Sequence, residues 1–216
     1  MEYSELRKDL ESQGIKLLAV SKTKPESAIM ELYQKGQRDF GENRAQELSA
    51  KAEHLPADIK WHMIGHLQKN KVKYIAQYVH LIHSVDNLKL AQKIDKEAAK
   101  VDRTIDILIQ IKIAKEESKY GYNWTDLIKD ISPLKTLQHI RICGVMGMGT
   151  LTDNPEVTHA EFAKLRQYFE TLKASHFNND DHFCEVSMGM SGDYRIAMAY
   201  GTTMVRIGSL LFGPRT

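Results

Sequence analysis

Lys22 closes the run Lys16-Leu17-Leu18-Ala19-Val20-Ser21-Lys22-Thr23-Lys24-Pro25. An apolar, strand-like stretch carries an amine to its C-terminal end, and a proline follows three residues later. An amine held among apolar groups loses part of its preference for the charged form. The neutral amine is the species that adds to a carbonyl to form a Schiff base. The plainer alternative is a lysine that reaches out of a strand end into solvent. Near the other end of the chain, Met204-Val205-Arg206-Ile207-Gly208-Ser209 reads as another strand. Period-two alternation puts Arg206 and Gly208 on the face opposite Val205 and Ile207. A guanidinium stays charged, so a buried Arg206 needs an acceptor, either a carboxylate or a ligand atom. Gly208 leaves room for a ligand to approach the backbone.

Between them, Ser187-Met188-Gly189-Met190-Ser191-Gly192-Asp193 leads from a strand into a helix. Such a turn exposes backbone N–H groups beside a helix N-terminus and favours an anion. It also reads as an ordinary strand-to-helix turn capped by Asp193. Asn43 follows a second strand, Asp39–Glu42, and His62 lies in a third, Trp61–Gly65. Histidine serves equally as a hydrogen-bonded structural group or as an acid or base, and both roles stay open for His62 and His66. The nine histidines show no paired spacing backed by cysteines or carboxylates, so no metal is expected. A Schiff-base lysine, an anion cradle and an arginine beside it together suit pyridoxal phosphate.

The elements that must position these groups alternate. Strands are expected at Leu17–Ser21, Asp39–Glu42, Trp61–Gly65, Leu81–Val85, Ile105–Ile113, Ile142–Met148, Phe183–Met188 and Met204–Phe212. Helices are expected at Glu2–Ser12, Pro25–Lys35, Arg44–His54, Lys71–Gln77, Asn87–Lys100, Trp124–Ser132, Thr158–Ser175 and Asp193–Ala199. Strands joined by helices pair in parallel. Eight such units imply one α/β domain over residues 1–216, a (β/α)8 TIM barrel, with an open doubly wound sheet as the alternative. In that barrel the site lies at the C-terminal ends of the strands, with phosphate after strands seven and eight. Leu18, Val20 and Lys22 would then share the lumen face.

Hydrophobic residues make up 42% and charged residues 27% of the 216, and the net charge is +2. Nothing in that balance favours nucleic acid or a membrane surface. No apolar run has the length of a membrane span or the form of a signal peptide. Cys143 and Cys184 are the only cysteines, too few for a disulfide framework, which fits a reducing compartment. A cytoplasmic monomer is expected.

Six motifs make the resemblance to a known family. They are Ala19–Pro25, Phe40–Asn43, Trp61–Lys71, Glu117–Gly121, Ser187–Asp193 and Gly201–Gly208. In this order they resemble the pyridoxal phosphate homeostasis proteins, also called the YggS-type or proline synthase co-transcribed (PROSC) family, over nearly the whole chain. The resemblance implies a single barrel similar to the alanine racemase N-terminal domain. It gives Lys22 the cofactor-bearing position, with Lys24 in the same motif but not in that role. It implies phosphate contacts from Ser187 and from the backbone around Gly208 and Ser209, with Met188 beside them. Arg206 would face the pyridine nitrogen, and Asn43 and His62 would line the pocket.

The implied function is binding and regulation: pyridoxal phosphate carried as a Schiff base on Lys22, in vitamin B6 homeostasis, without an established reaction. Pyridoxal phosphate-dependent apoenzymes are the candidate recipients. Arginine does not protonate the pyridine nitrogen as a carboxylic acid would, so the ring is a weaker electron sink. The chain ends three residues after Gly213, which is expected to leave no room for the racemase's second domain. The alternative is a small racemase or lyase, which needs an acid–base group facing Lys22 across the cofactor. Tyr194, Cys143 and His62 are the residues to test for that role. A third reading is a barrel acting on a sugar or nucleotide phosphate without the cofactor.

Overall fold

The computed structural model describes residues 2–114 and 120–213. Eight parallel strands close into a barrel in chain order, each paired with the next and β8 with β1. They are β1 (Lys16–Val20), β2 (Asp39–Glu42), β3 (Lys60–Met63), β4 (Val79–Val85), β5 (Ile105–Gln110), β6 (Ile140–Met146), β7 (Glu185–Met190) and β8 (Met204–Ile207). The expected (β/α)8 barrel is the fold, and the open sheet is excluded by the β1–β8 pairing.

The helices are α1 (Tyr3–Ser12), α2 (Glu26–Gln34), α3 (Ala45–His54), α4 (Val72–Ile75), α5 (Leu88–Lys100), α6 (Trp124–Lys135), α7 (Pro155–His176), α8 (Tyr194–Ala199) and α9 (Ser209–Phe212). Outward-facing strand residues such as Ala19, Phe40, Trp61, Ile107 and Val186 pack under this layer in the main core. Inward-facing Leu18, Leu81, Leu108, Cys143, Met146 and Met204 form a separate lumen cluster. Helix α1 precedes the barrel but closes it from outside. Its Leu6 and Leu10 cover Leu17, Val205 and Ile207 on β1 and β8, with Leu211 of the four-residue α9 packed against the same cluster.

Two boundaries differ from expectation for reasons that matter to the site. The last strand ends at Ile207, not Phe212. Gly208 leaves the extended region at φ −119°, ψ −70°, and its carbonyl accepts from Leu211 and Phe212 N–H, which starts α9. The seventh strand runs to Met190, two residues past the expected end, because Ser187 and Met190 still register with Met204 and Arg206 across a shift. Elsewhere β5 stops at Gln110 instead of Ile113, and α6 continues through Pro133 to Lys135 instead of stopping at Ser132.

Candidate functional site

Lys22 sits one residue beyond Ser21 at the top of β1, in a turn closed by Lys24 N–H donating to Ser21 O at 3.0 Å. Thr23 occupies the left-handed region at φ 63°, a strained place for a β-branched residue. A buried ionic cluster holds this turn from the helix side. Lys51 on α3 donates to Ser21 O (3.0 Å), Glu42 Oε1 (2.8 Å) and Glu47 Oε1 (2.8 Å). Ser21 Oγ donates to Glu42 Oε1 at 2.6 Å, and Thr23 N–H to Glu47 Oε1 at 2.6 Å. Burial pushes the Glu42 carboxyl up to about 7, against the pull of Lys51 and Ser21. Glu47 is also partly buried, but its bonds from Lys51 and Thr23 outweigh burial and hold it below the usual carboxylate range.

The opposite wall belongs to β7 and β8. The β1–β8 register pairs Leu18 with Arg206, so Val20 meets Gly208, and Lys22 follows two residues later in the turn after β1. Arg206 is buried. Its Nη1 donates to Ser187 O (2.8 Å) and Ser187 Oγ (2.7 Å), and its Nη2 to Gly147 O (3.0 Å). Burial lowers its pKa to about 10, with Asp193 acting the other way, so the guanidinium stays charged at neutral pH. Above it, Gly208 N–H donates to Ser191 Oγ at 3.2 Å, joining the loops after β7 and β8. Asp193 Oδ1 accepts from Met190 N–H at 2.6 Å and fixes the first of these loops. Asn43, partly buried at the end of β2, lies against Gly65: a Cβ on that glycine would stand 2.3 Å from Asn43 O.

From Arg206 a line of hydrogen bonds descends the lumen. Ser187 Oγ contacts His83 Nδ1 (3.1 Å), His83 Nε2 contacts His62 Nδ1 (3.0 Å), and His62 Nε2 contacts Asp39 Oδ1 (3.0 Å). One proton arrangement satisfies every member with both rings neutral. Arg206 donates to Ser187, Ser187 to His83, His83 to His62, and His62 to the Asp39 carboxylate. Burial, with the Arg206 charge adding to it, pushes His83 well below the usual histidine range, which agrees with a neutral ring.

Residues 2–216 match the family described as alanine racemase, N-terminal domain. A pyridoxal phosphate homeostasis protein of Synechocystis is 39% identical over 215 residues, covering 99% of this chain and 97% of that one. The Aquifex aeolicus pyridoxal phosphate homeostasis protein is 41% identical over 201 residues, 93% of this chain and 87% of that one. The chain belongs to the pyridoxal phosphate homeostasis protein family. Among solved structures, PipY of Synechococcus elongatus without pyridoxal phosphate superposes with a TM-score of 0.91 at 37% identity, covering 97% of both chains. PipY with pyridoxal phosphate bound gives 0.87, covering 97% of this chain and 99% of that one. An alanine racemase of Clostridium difficile gives 0.75 at 17% identity and shares the fold, this chain covering 58% of it.

Within this family frame, three of the expected contacts stand elsewhere. Ser187 is 0% exposed, with its hydroxyl committed to Arg206 and His83 inside the lumen. It is therefore a support for Arg206 and does not reach the β7–α8 turn where a phosphate contact was expected. Met188, one residue on, points the other way by strand alternation and is buried in the outer core. His62 has both ring nitrogens engaged and opens on the N-terminal mouth, the end of the barrel away from Lys22. Lys22, Asn43, Arg206, Gly208 and Ser209 do gather at the C-terminal end. Residues 117–119 of the Glu117–Gly121 motif lie outside the described residues.

Sequence reasoning missed Ser191, His83 and the Lys51–Glu42–Glu47 cluster. Ser191 was inside a quoted motif, and the signal was that the flexible residues Gly189 and Gly192 flank it and not Ser187. His83 shares the parity of Leu81 on β4. The ionic cluster gave no signal beyond the i, i+4 spacing of Glu47 and Lys51, which ordinarily reads as a surface pair.

Proposed function

We propose that this chain binds pyridoxal phosphate through Lys22 and acts in pyridoxal phosphate homeostasis as a carrier, not as an enzyme. The observation that carries the reading is the convergence at the C-terminal end of the barrel. Lys22, in the turn after β1, shares that end with a wall made of the anchored guanidinium of Arg206 and of Gly208 N–H donating to Ser191 Oγ. That donor set fits the group: an amine for its aldehyde, a hydroxyl and backbone N–H for its phosphate, a cation for its ring nitrogen. When bound, the cofactor supplies an electron-accepting ring. Lys22 would hold it covalently, Ser191, Gly208 and Ser209 would hold the phosphate, and Asn43 would line the near wall. Arg206 keeps its proton, so it would meet the ring nitrogen as a charged donor with no proton to give up.

The carrier reading is supported by where the candidate acid–base groups stand. Tyr194 packs against α1 and Val205 outside the barrel. Cys143 and His62 line the N-terminal mouth, and burial pushes the Cys143 thiol up to about 12. None of the three stands across from Lys22. Among the described residues no helix is long and apolar enough to cross a membrane. The reading includes a cytoplasmic monomer that hands its cofactor to pyridoxal phosphate-dependent apoenzymes.

The test is the visible spectrum of the protein with added pyridoxal phosphate, wild type beside Lys22→Ala, followed by amino-acid turnover assays. A cofactor band that borohydride bleaches, absent in the variant, is expected, with no racemisation or lyase activity. An unchanged band in Lys22→Ala overturns the assignment of Lys22. Turnover by the wild type overturns the carrier reading and restores the small racemase or lyase.

A further inference from the structure

The starts of β2, β3 and β4 bring three side chains together at the N-terminal mouth that are far apart in sequence. Asp39, His62 and His80 each offer one ligand atom, and these atoms lie within 4.8 Å of one another. Asp39 Oδ1 and His62 Nε2 are already 3.0 Å apart, and the rings of His62 and His80 meet edge to face at 5.4 Å. The register explains the meeting: Asp39 pairs with Lys60 at the foot of β3, and Trp61 with Val79 at the foot of β4.

We propose that this mouth is a binding site for a divalent transition-metal cation of the Zn2+ class, held by Asp39, His62 and His80. Two imidazoles and one carboxylate form a nitrogen-rich set that suits Zn2+, Co2+ or Cu2+ and not the oxygen-seeking Mg2+ or Ca2+. Three protein ligands leave a tetrahedral ion one open position. The cavity in front of them, about 420 Å³, gives that position space and gives the ion a way in.

The surroundings are those of a built site. His62 is 1% exposed and cannot swing away, while His80 faces solvent. The second nitrogen of His62 is held by His83 at 3.0 Å, and His83 in turn by Ser187 at 3.1 Å. Anchoring of the far ring nitrogen is what metal-bound histidines almost always show. The cations lining the same mouth are partly spent: Lys16 is bound to Glu185, and Arg141 is bound to both oxygens of Asp106. Lys60 is the opposing charge nearest the set in register.

An ion on His62 Nε2 fixes that ring's proton on Nδ1, where it donates to His83. The hydrogen-bonded line then runs upward towards Ser187 instead of downward to Asp39. The proposal stands apart from the cofactor reading, because its ligands lie at the end of the barrel opposite Lys22.

The test is calorimetric titration of the chelator-treated full chain with Zn2+, and of Co2+ by its visible absorption. The set is wild type, His80→Ala, Asp39→Asn, Lys22→Ala and His54→Ala, the last removing an exposed histidine elsewhere. One saturable site is expected, with a Co2+ band of tetrahedral intensity. His80→Ala and Asp39→Asn should each weaken it by ~10-fold or more, and Lys22→Ala and His54→Ala should leave it unchanged. His80 is exposed, so its variant keeps the fold even where Asp39→Asn does not. No saturable binding by the wild type, or equal affinity in His80→Ala, overturns the site. Binding lost only in His54→Ala identifies an adventitious surface histidine and overturns it as well.

Discussion

Arg206 holds Ser187 twice with one nitrogen, Nη1 donating to its carbonyl at 2.8 Å and to its hydroxyl at 2.7 Å. The lumen of this barrel is therefore not a plain apolar filling. Its middle layer contains a fixed cation held by a buried serine, and that cation is the group the proposed carrier reading sets against the ring nitrogen of the cofactor.

Ser187→Ala tests that dependence. The substitution removes one acceptor from a buried guanidinium and the partner of His83 Nδ1. Hydrogen bonds to charged groups contribute about 1.5–3 kcal/mol, so a loss of about that size in urea denaturation is expected. On the carrier reading, bound pyridoxal phosphate should keep a covalent link to Lys22 but show a shifted absorption maximum, since Arg206 is less firmly aimed. A stability and spectrum equal to wild type would show that the serine does not support Arg206.

Gly65→Ala tests the opposite wall. A Cβ at Gly65 would lie 2.3 Å from Asn43 O and 2.7 Å from Asn43 Cα, both backbone atoms that cannot swing aside. The β2–α3 loop must move, and with it Asn43. Cofactor affinity should fall by ~10-fold, the ~1.4 kcal/mol that a modest displacement of one wall can cost. Gly192→Ala is the matched control. Nothing lies within 4 Å of its Cβ, so affinity should be unchanged. Spectrophotometric titration of both variants with pyridoxal phosphate separates the two outcomes.

What the sequence made legible follows from period and spacing. Strand parity on β1 placed Leu18 in the lumen, and on β8 it placed Arg206 there, because alternation needs no knowledge of partners. The same parity, applied to Ser187 and Met188, would have separated them. The family motif kept them together because a motif lists neighbours in sequence, not faces. His62, His83 and Asp39 come from three strands, and only the barrel's closure and stagger bring them into one line. Their meeting is a property of register, which no local pattern encodes. The Lys51 cluster was illegible for another reason: an i, i+4 Glu–Lys pair looks the same whether it faces water or the core.

Lys51→Met tests whether that cluster holds the Lys22 turn. The lysine is 7% exposed and neutralises two carboxylates at 2.8 Å each. Removing one partner of a buried ion pair costs on the order of 3–5 kcal/mol, because the remaining charge is left unpaired. Denaturation should show a loss of that order. Ser21 O also loses its donor, so the rate of cofactor capture by Lys22 should drop with it. Adding Glu42→Gln to Lys51→Met should recover part of the stability; no recovery would mean that the loss came from packing and not from charge.

Glu42 predicts a pH dependence of its own. Burial raises its pKa from 4.5 in the unfolded chain to about 7, and its Oε2 has no hydrogen-bond partner. Between those two values the folded chain holds a proton that the unfolded chain has released. Stability then falls as pH rises through the window, since the native state binds more protons there. Glu47 acts with the opposite sign and in a different range. Its pKa is lowered on folding, so its contribution is present above 4.5 and is lost as the pH falls below that value. The two effects are therefore separable by pH. His83, whose pKa burial lowers, gives the opposite slope below 6.5 in wild type and Glu42→Gln alike, so the wild-type stability minus that of Glu42→Gln, by urea denaturation at pH 5, 6, 7 and 8, should decline on the order of 1–3 kcal/mol, most of it by pH 7.5. Glu42→Gln cannot ionise, keeps an acceptor oxygen for Lys51 and Ser21, and leaves Glu47 to neutralise the lysine. The variant should lose the Glu42 contribution to the slope and exceed the wild type in stability above pH 7. A slope in Glu42→Gln as steep as that of the wild type would place the titrating group elsewhere in the fold.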